Sequence, residues 1–222
     1  MSEIAAAAMR SKKEAASHYD RMSRWYDLIA GGSEKRFRER GLGMLRPEEG
    51  ETVLEIGPGT GQCMSFLAGA VGRSGRVYGV DISKGMIDIS RRKSGKTGLS
   101  SAVGLLRGDG ASLPFRGAVF DAVFLSFTLE LFSPQEMPVV INECLRVLQS
   151  DGRICIVSMS KTGRSRPVMR LYEWMHRRFP KCIDCRPIFL KRLLEGSGLD
   201  VAQADEIRNW GLTVEVVRAE VQ

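Results

Sequence analysis

Short apolar segments alternate with helical segments along the middle of this 222-residue chain. Each apolar segment is bounded by Gly, Pro or Asp, which is typical of a buried β-strand. The predicted strands are Thr52–Ile56, Arg76–Val80, Val103–Leu106, Asp121–Ser126 and Arg153–Ser158. The helical patterns between them lie at about 61–71, 84–92 and 135–148. This alternation predicts the α/β class, with a mostly parallel, doubly wound sheet and helices on both of its faces.

Two regions lie outside this alternation. Residues 1–46 are predicted to form helices that lead into the first strand, and residues 165–198 are predicted to form two more. The tail at 205–221 alternates in the manner of a final strand pair. We therefore expect a single domain over residues 1–222. Its parts are a helical cap (1–46), a core (50–160), a helical insertion that caps the same end of the sheet (165–198) and terminal strands (199–222).

Basic residues are concentrated in one segment of the chain. Residues 161–192 contain ten Lys or Arg against Glu173 and Asp184, within a formal net charge of +7. A helical pattern at 167–180 combines these cations with an apolar face. That helix could rest on an anionic membrane as a peripheral anchor, lie over a ligand pocket, or pack with a solvated basic face. Nucleic acid is not expected as a partner, because the chain shows no RNA-binding motif and no separate recognition domain.

Composition excludes several classes of protein. The chain is 43% hydrophobic and 27% charged, which is typical of a globular protein and not of a disordered one. It has no apolar run of about 18 residues, so we predict no transmembrane helix. The N-terminal residues lack the layout of a signal peptide, and we expect a cytoplasmic location. Cys182 and Cys185 have metal-type spacing, but no second ligand pair accompanies them, so no metal site is expected.

A glycine-rich turn follows the first predicted strand. The sequence from Glu55 to Gly61 reads E-x-G-x-G-x-G. Glycines at such a turn let the backbone approach a ligand closely, and the following helix presents free N–H groups. Gln62 stands where the dinucleotide pattern G-x-G-x-x-G requires its third glycine. The turn therefore favours a smaller ligand without a pyrophosphate.

Carboxylates follow the second and third predicted strands. Asp81 ends the second strand, at the position where an open α/β sheet holds a ribose diol. Asp109 and Gly110 follow the third strand, where they could contact the edge of an adenine ring. The neighbouring apolar residues that could enclose such a ring are Ile82, Met86 and Leu113.

Taken in order, these motifs resemble the class I methyltransferases that use S-adenosylmethionine. The matching segments are EIGPGTG (55–61), Asp81, GDGASLPF (108–115), FDAVFLSFTLELF (120–132) and ECLRVLQSDG (143–152). Near the N-terminus, Tyr19-Asp20 and Trp25-Tyr26-Asp27 resemble the corresponding segment of the ubiquinone/menaquinone-biosynthesis C-methyltransferases. The resemblance implies a Rossmann-like, seven-stranded sheet with one antiparallel strand near the C-terminus.

The resemblance also implies which residues hold the cofactor. It places Gly57, Gly59 and Gly61 on the methionine moiety and Asp81 on the ribose. Ser126 would lie on the strand that faces the methyl donor. The residues that it places around the adenine are Ile82, Met86, Asp109 and Gly110. Glu55 either orients the amino group of the methionine or is a structural carboxylate.

Four residues are candidates for a catalytic role. Tyr19 and Tyr26 could form a lid over the sulfonium, which gains from an aromatic face, or could be core aromatics. His18 could accept a proton, and Glu130 could act as a base or cation partner near the acceptor. The predicted activity is direct in-line methyl transfer to a small, hydrophobic or lipid-like acceptor. The alternatives are an RNA or protein methyltransferase that docks through 161–192, and a non-catalytic protein that binds S-adenosylmethionine.

Overall fold

The computed structural model describes residues 12–22, 34–96, 100–162, 174, 186–209 and 212–221. The helices among them are α1 Lys12–Met22, α2 Lys35–Leu45, α3 Met64–Val71, α4 Lys84–Lys96, α5 Met137–Val147 and α6 Leu190–Glu195. The strands are β1 Thr52–Ile56, β2 Arg76–Asp81, β3 Val103–Arg107, β4 Phe120–Ser126, β5 Leu148–Ser160, β6 Leu199–Asn209 and β7 Leu212–Val221. Short 3₁₀ turns cover Ser100–Ala102 and Leu129–Leu131.

The strands form one seven-stranded sheet in the order β3-β2-β1-β4-β5-β7-β6. Strands β1 to β5 pair in parallel, and β7 runs antiparallel to both β5 and β6. This confirms the predicted α/β class, the seven strands and the single antiparallel strand near the C-terminus. β5 begins at Leu148, earlier than the predicted Arg153, because Leu148 already pairs with Phe120 across a register shift.

The sheet is buried on both faces, as its apolar strands predict. In β4, Ala122 and Phe124 point into the cluster formed with α2 and α3. Val123 and Leu125 point into the opposite cluster, formed with α5 and α6. Successive side chains alternate between the two faces of a strand, so one continuous apolar run serves both layers.

Arg153 fixes α2 against the sheet. Its Nε donates to the carbonyl oxygen of Leu45 at 2.6 Å, and its Nη1 and Nη2 donate to the two carboxylate oxygens of Glu51 at 2.7 Å each. This two-point pairing of a guanidinium with a carboxylate is geometrically specific. It anchors the C-terminal end of α2, the helix that carries Arg38 to the glycine turn.

Much of the predicted helical insertion at 165–198 lies outside the described residues, as do Tyr26, Cys182 and Cys185. Within that insertion the structure describes Trp174, which is exposed, and helix α6. No helix in the described part of the chain is both long and apolar enough to cross a membrane.

Candidate functional site

The glycine-rich turn joins β1 to α3 and adopts a left-handed backbone at three positions. Gly57 has φ +71°, Gly59 has φ +53° and Gly61 has φ +77°. L-residues other than glycine pay a steric cost in this region, which explains the residue type. The N–H of Gly57 donates to the carbonyl oxygen of Val80 at 2.8 Å, so the turn is attached to the end of β2.

The three glycines differ in what surrounds them. A Cβ on Gly57 would lie 2.4 Å from Oγ1 of Thr128, and one on Gly61 would lie 2.3 Å from Oγ of Ser90. These two glycines are therefore required by close packing within the protein. A Cβ on Gly59 would meet no atom within 4 Å. The backbone of Gly59 thus borders open space, as it must if a ligand is to lie against the turn.

Asp81 lies at the end of β2, directly beside this open part of the turn. Its Oδ2 accepts the N–H of Gly59 at 3.1 Å, and its Oδ1 accepts the N–H of Ser83 at 2.8 Å. Burial raises the pKa of Asp81 to about 6, although these two hydrogen bonds oppose the shift. Each carboxylate oxygen can accept a further hydrogen bond, so the group can still receive the hydroxyls of a ribose.

Asp20 of α1 contacts the same region and was not among the predicted site residues. Its Oδ1 accepts the hydroxyl of Ser83 at 2.5 Å and the N–H of Gly85 at 2.8 Å. Burial acts to raise the pKa of Asp20, but these hydrogen bonds and the nearby cations Arg107 and Lys84 leave it lowered. Asp20 therefore holds α1 at the N-terminus of α4, where a carboxylate is stabilised.

The position of α1 brings two predicted residues to this end of the sheet. His18 and Tyr19 are both half-buried, and their rings contact edge to face with centroids 5.6 Å apart. They immediately precede Asp20 in the helix, so they lie close to the start of α4. In the sequence, the Tyr19-Asp20 pair indicated that this segment belongs to the site. In the structure, the residue of the pair that anchors α1 is Asp20.

Glu55 lies beneath the glycine turn and is 2% exposed. Burial raises the pKa of its carboxyl to about 8, while a hydrogen bond from the Cys63 thiol and the charge of Arg38 oppose the shift. Arg38 is itself buried, and it donates to Glu34 at 2.9 Å and to Oε1 of Gln62 in the turn. Arg38 thereby connects α2 to the glycine turn, a contact that no sequence pattern indicated.

This raised pKa predicts how the stability of the cofactor-free protein depends on pH. As pH rises from about 4.5 towards 8, the unfolded chain ionises this carboxyl while the folded protein keeps it protonated, so the free energy of unfolding falls. We compare the free energy of unfolding of Glu55→Gln with that of the wild type. Between pH 5 and 8.5 we expect this difference to change by at least about 1 kcal/mol in favour of the variant. Urea unfolding at several pH values measures it.

Glu143→Gln is the matched control for this experiment. The pKa of Glu143 is lowered, with the hydrogen bond from Arg146 as the main cause, so its carboxyl is ionised in both states above about pH 5.5. Its substitution should change stability by a similar amount from pH 6 to 8.5. A pH-independent difference for Glu55→Gln over the same range would contradict the protonated state of Glu55.

The loop after β3 contains two of the residues predicted to surround an adenine, and the other two follow β2. The carboxylate of Asp109 accepts the N–H of Ala111 at 3.0 Å and so closes a local turn. Gly110 is required by packing, since a Cβ there would lie 2.9 Å from Ile56 and 3.0 Å from the ring of Phe132. Ile82 is half-buried and Met86 is 2% exposed. The structure places these residues at one edge of the sheet, and their contact with an adenine stays a prediction.

The end of β4 carries a strained backbone and two buried polar groups. Phe127 has φ +50°, an unusual value for a non-glycine residue that is found more often at functional sites. The hydroxyl of Ser126 is buried and has no hydrogen-bond partner among the described residues. Glu130 is 1% exposed, and its Oε1 accepts the N–H of Met159 at 3.1 Å. Glu130 is therefore held against β5, and its predicted role toward an acceptor stays a prediction.

The site residues thus converge on the carboxyl ends of β1 to β4. The glycines, Asp81, the 108–113 loop and Ser126 come together there although they are far apart in sequence. Parallel strands place their carboxyl ends at the same edge, and open α/β sheets bind ligands at that edge. In the parts of the chain that the structure describes, no group of three or more His, Cys, Asp or Glu could hold a metal ion.

Comparison with known proteins finds similarity over the core of the chain. Residues 53–152 match a family model described as a methyltransferase domain. A demethylmenaquinone methyltransferase from Lactobacillus johnsonii is 31% identical over 166 residues, which cover 74% of this chain and 65% of that protein. The chain thus spans slightly less than two thirds of the length of this relative.

Solved structures confirm the Rossmann-like fold. A SAM dependent methyltransferase from Aquifex aeolicus has a TM-score of 0.68 at 23% identity, with 90% of this chain and 98% of that chain covered. The [4+2]-cyclase SpnF has a TM-score of 0.77 at 18% identity, with 96% and 97% covered. Such identities establish the fold alone, and the second name shows that this fold also serves another chemistry.

Proposed function

We propose that this protein transfers a methyl group from S-adenosylmethionine to a small, hydrophobic or lipid-like acceptor, because residues 53–152 match a family model described as a methyltransferase domain. The observation that carries the proposal is the pairing of Gly59 with Asp81. An open backbone edge and a half-buried carboxylate lie side by side, joined by a 3.1 Å hydrogen bond. The methionine moiety needs the first feature, and the ribose needs the second.

The residues of the turn fit this cofactor. Gly59 would lie against the methionine moiety, and Asp81 would accept hydrogen bonds from the ribose hydroxyls. Glu55 is buried below the turn, and one of its oxygens, Oε2, has no hydrogen-bond partner among the described residues. An ammonium group at this place would favour the ionised form of Glu55. The adenine would lie along the 108–113 loop, with Ile82 and Met86 on its other side.

In this proposal the protein accelerates the reaction mainly by positioning the cofactor and the acceptor. S-adenosylmethionine supplies a methyl group that its sulfonium already activates. The ends of β4 and β5 hold an acceptor in line with it, and such positioning can lower a barrier by about 7–11 kcal/mol in favourable systems. Where the acceptor must lose a proton, Glu130 or His18 is the candidate base. Tyr19 on α1 is the candidate aromatic cover for the site.

The class of acceptor is supported by the named relative. That protein is a demethylmenaquinone methyltransferase, and its similarity covers 74% of this chain. An apolar quinol is therefore the first acceptor to test. The buried apolar residues that end β4 and β5, including Leu129 and Met159, agree with an apolar acceptor.

The test has a binding step and a turnover step. We expect calorimetry to show micromolar binding of S-adenosylmethionine and of S-adenosylhomocysteine. We then expect transfer of labelled methyl groups to a lipid-like acceptor, and the first to test is a reduced naphthoquinone that carries a prenyl chain and lacks the ring methyl. A phospholipid, a small amine, total RNA and a protein mixture serve as comparison acceptors.

Each outcome separates the alternatives. Binding without transfer to any acceptor would favour the non-catalytic protein. Transfer to RNA or protein alone would overturn the small lipid-like acceptor while leaving the cofactor in place. Failure of both cofactor forms to bind would overturn the whole proposal.

A further inference from the structure

Ile188 forms a single bridge to the sheet beyond the end of β4. The N–H of Ile188 donates to the carbonyl oxygen of Met159 at 2.9 Å, and the N–H of Lys161 donates to Ile188 at 3.0 Å. This is a parallel bridge to Ser160. The other edge of β5 is already paired with β7 as far as Ser160, so Ile188 must lie on the β4 side. β4 itself ends at Ser126, opposite Val157, which leaves that place free.

Arg186 is carried to this position by the bridge at Ile188. Its Nη2 donates to the carbonyl oxygen of Phe132 at 2.6 Å. The ring of Phe132 packs against Gly110, since a Cβ on Gly110 would lie 3.0 Å from that ring. Arg186 therefore lies beside the loop that follows β3 and above the carboxyl end of β4, at the same edge of the sheet as the glycine turn.

The guanidinium of Arg186 is only partly satisfied by the described residues. Its Nε is buried and has no hydrogen-bond partner among the described residues. In the described part of the chain no carboxylate shifts the pKa of this group, which burial alone lowers. A guanidinium has five N–H donors in a planar fork, and leaving the buried Nε of this half-buried side chain unpaired costs free energy. Such a group is suited to a planar or tetrahedral oxyanion.

We propose that Arg186 binds an anionic oxygen group of the acceptor, a carboxylate or a phosphate ester, and so selects an amphiphile with an acidic end. This rests on the proposed function, because it assigns the acceptor to the edge of the sheet where the cofactor residues converge. The apolar body of the amphiphile lies along the ends of β4 and β5. The acidic end lies at Arg186, and this fixes which end of the acceptor faces the methyl donor.

Three probes that share one apolar chain test the proposal: octyl phosphate, octanoate and octanol. Calorimetry is performed on the full chain saturated with S-adenosylhomocysteine, whose affinity is measured first in the same sample. We expect octyl phosphate or octanoate to bind at least about 10-fold more tightly than octanol. The tighter of the two acidic probes identifies the anionic group as phosphate or carboxylate.

Variants assign this preference to Arg186. In Arg186→Gln we expect the acidic probe to bind no more tightly than octanol, and in Arg186→Lys we expect a reduced preference. Lys191→Gln removes the same unit charge from an exposed position in the same segment, and we expect it to keep the full preference. Thermal unfolding of each variant reports whether it folds. If Arg186→Gln does not fold, the binding preference of Arg186→Lys is the test.

The result that would overturn the inference is distinct from one that would overturn the proposed function. If S-adenosylhomocysteine binds but the wild type shows no preference for the acidic probes, Arg186 is not an anion site and the cofactor assignment stands. An unchanged preference in both Arg186 variants has the same meaning. If S-adenosylhomocysteine does not bind, the proposed function itself fails.

Discussion

The Gly61→Ala variant is expected to lose about 2–5 kcal/mol of stability. A left-handed φ of +77° costs an alanine about 1–2 kcal/mol, and the new Cβ would lie 2.3 Å from Oγ and 3.1 Å from Cα of Ser90. Because the Cα of Ser90 belongs to the backbone of α4, a rotation of the Ser90 side chain cannot relieve this contact. Overpacking therefore adds about 1–3 kcal/mol to the loss. Chemical denaturation of the cofactor-free protein measures the loss.

The Gly59→Ala variant separates the role of the ligand from the role of packing. Its Cβ would meet no protein atom, so stability should fall by only about 1–2 kcal/mol, the cost of its φ of +53°. We expect its affinity for S-adenosylmethionine to fall at least 10-fold, because the new methyl group occupies the space beside the turn. Calorimetry measures that affinity.

Gly43→Ala provides the control for both variants. Gly43 is an exposed residue of α2, and a Cβ there would contact nothing within 4 Å. Alanine in a helix is favoured over glycine by about 1 kcal/mol, so this variant should be slightly more stable, with unchanged cofactor affinity. If Gly59→Ala also retained full affinity, the cofactor would not lie against the turn.

The second large effect is expected from Asp81→Asn. The substitution keeps the size of the side chain but removes the negative charge of the carboxylate. This carboxylate accepts the N–H of Gly59 through Oδ2 and would accept the ribose hydroxyls. A hydrogen bond to a charged group contributes about 1.5–3 kcal/mol, so we expect cofactor affinity to fall by about 10- to 100-fold. Calorimetry at pH 8 is appropriate, because the pKa of Asp81 is about 6 and the wild-type carboxyl is then ionised.

Asp121→Asn is the matched control at the other end of the sheet. The carboxylate of Asp121 accepts the N–H of Thr52 at 2.7 Å, at the start of β1 and far from the glycine turn. The Asp121→Asn substitution should therefore leave cofactor affinity unchanged. An equal loss in both variants would mean that the effect of Asp81→Asn is general destabilisation, and unchanged affinity in Asp81→Asn would remove Asp81 from the ribose site.

Local pattern was sufficient to predict the central strands and the turn between β1 and α3. Thr52–Ile56 is predicted and observed with the same bounds, because a buried strand bounded by turn residues has a periodicity that depends only on near neighbours. The same holds for the glycine turn, whose residue types follow from left-handed backbone angles. The placement of Asp81 beside that turn followed from the rule that parallel strands share their carboxyl ends.

Local pattern did not indicate contacts between residues that are distant in sequence. The sequence indicated His18 and Tyr19 as candidate functional residues of α1, whose roles stay predictions, and it did not indicate Asp20, which contacts Ser83 and Gly85. The contact of Gly110 with an adenine stays a prediction, and packing against Ile56 and Phe132 independently requires a glycine at that position. In both cases the determining neighbour is distant in sequence and leaves no periodic signal.

The sequence by itself determined the α/β class, the strand and helix order and the glycine turn with its carboxylate, because these depend on backbone preferences and on the alternation of buried faces. Only the tertiary structure decided that Asp20 contacts Ser83 across 63 positions, that Arg38 contacts Gln62 across 24, and that Arg186 contacts Phe132 across 54. Such contacts between side chains depend on the packing of whole elements. For the same reason the raised pKa of Glu55 follows from its burial beneath the turn, which the sequence alone does not specify.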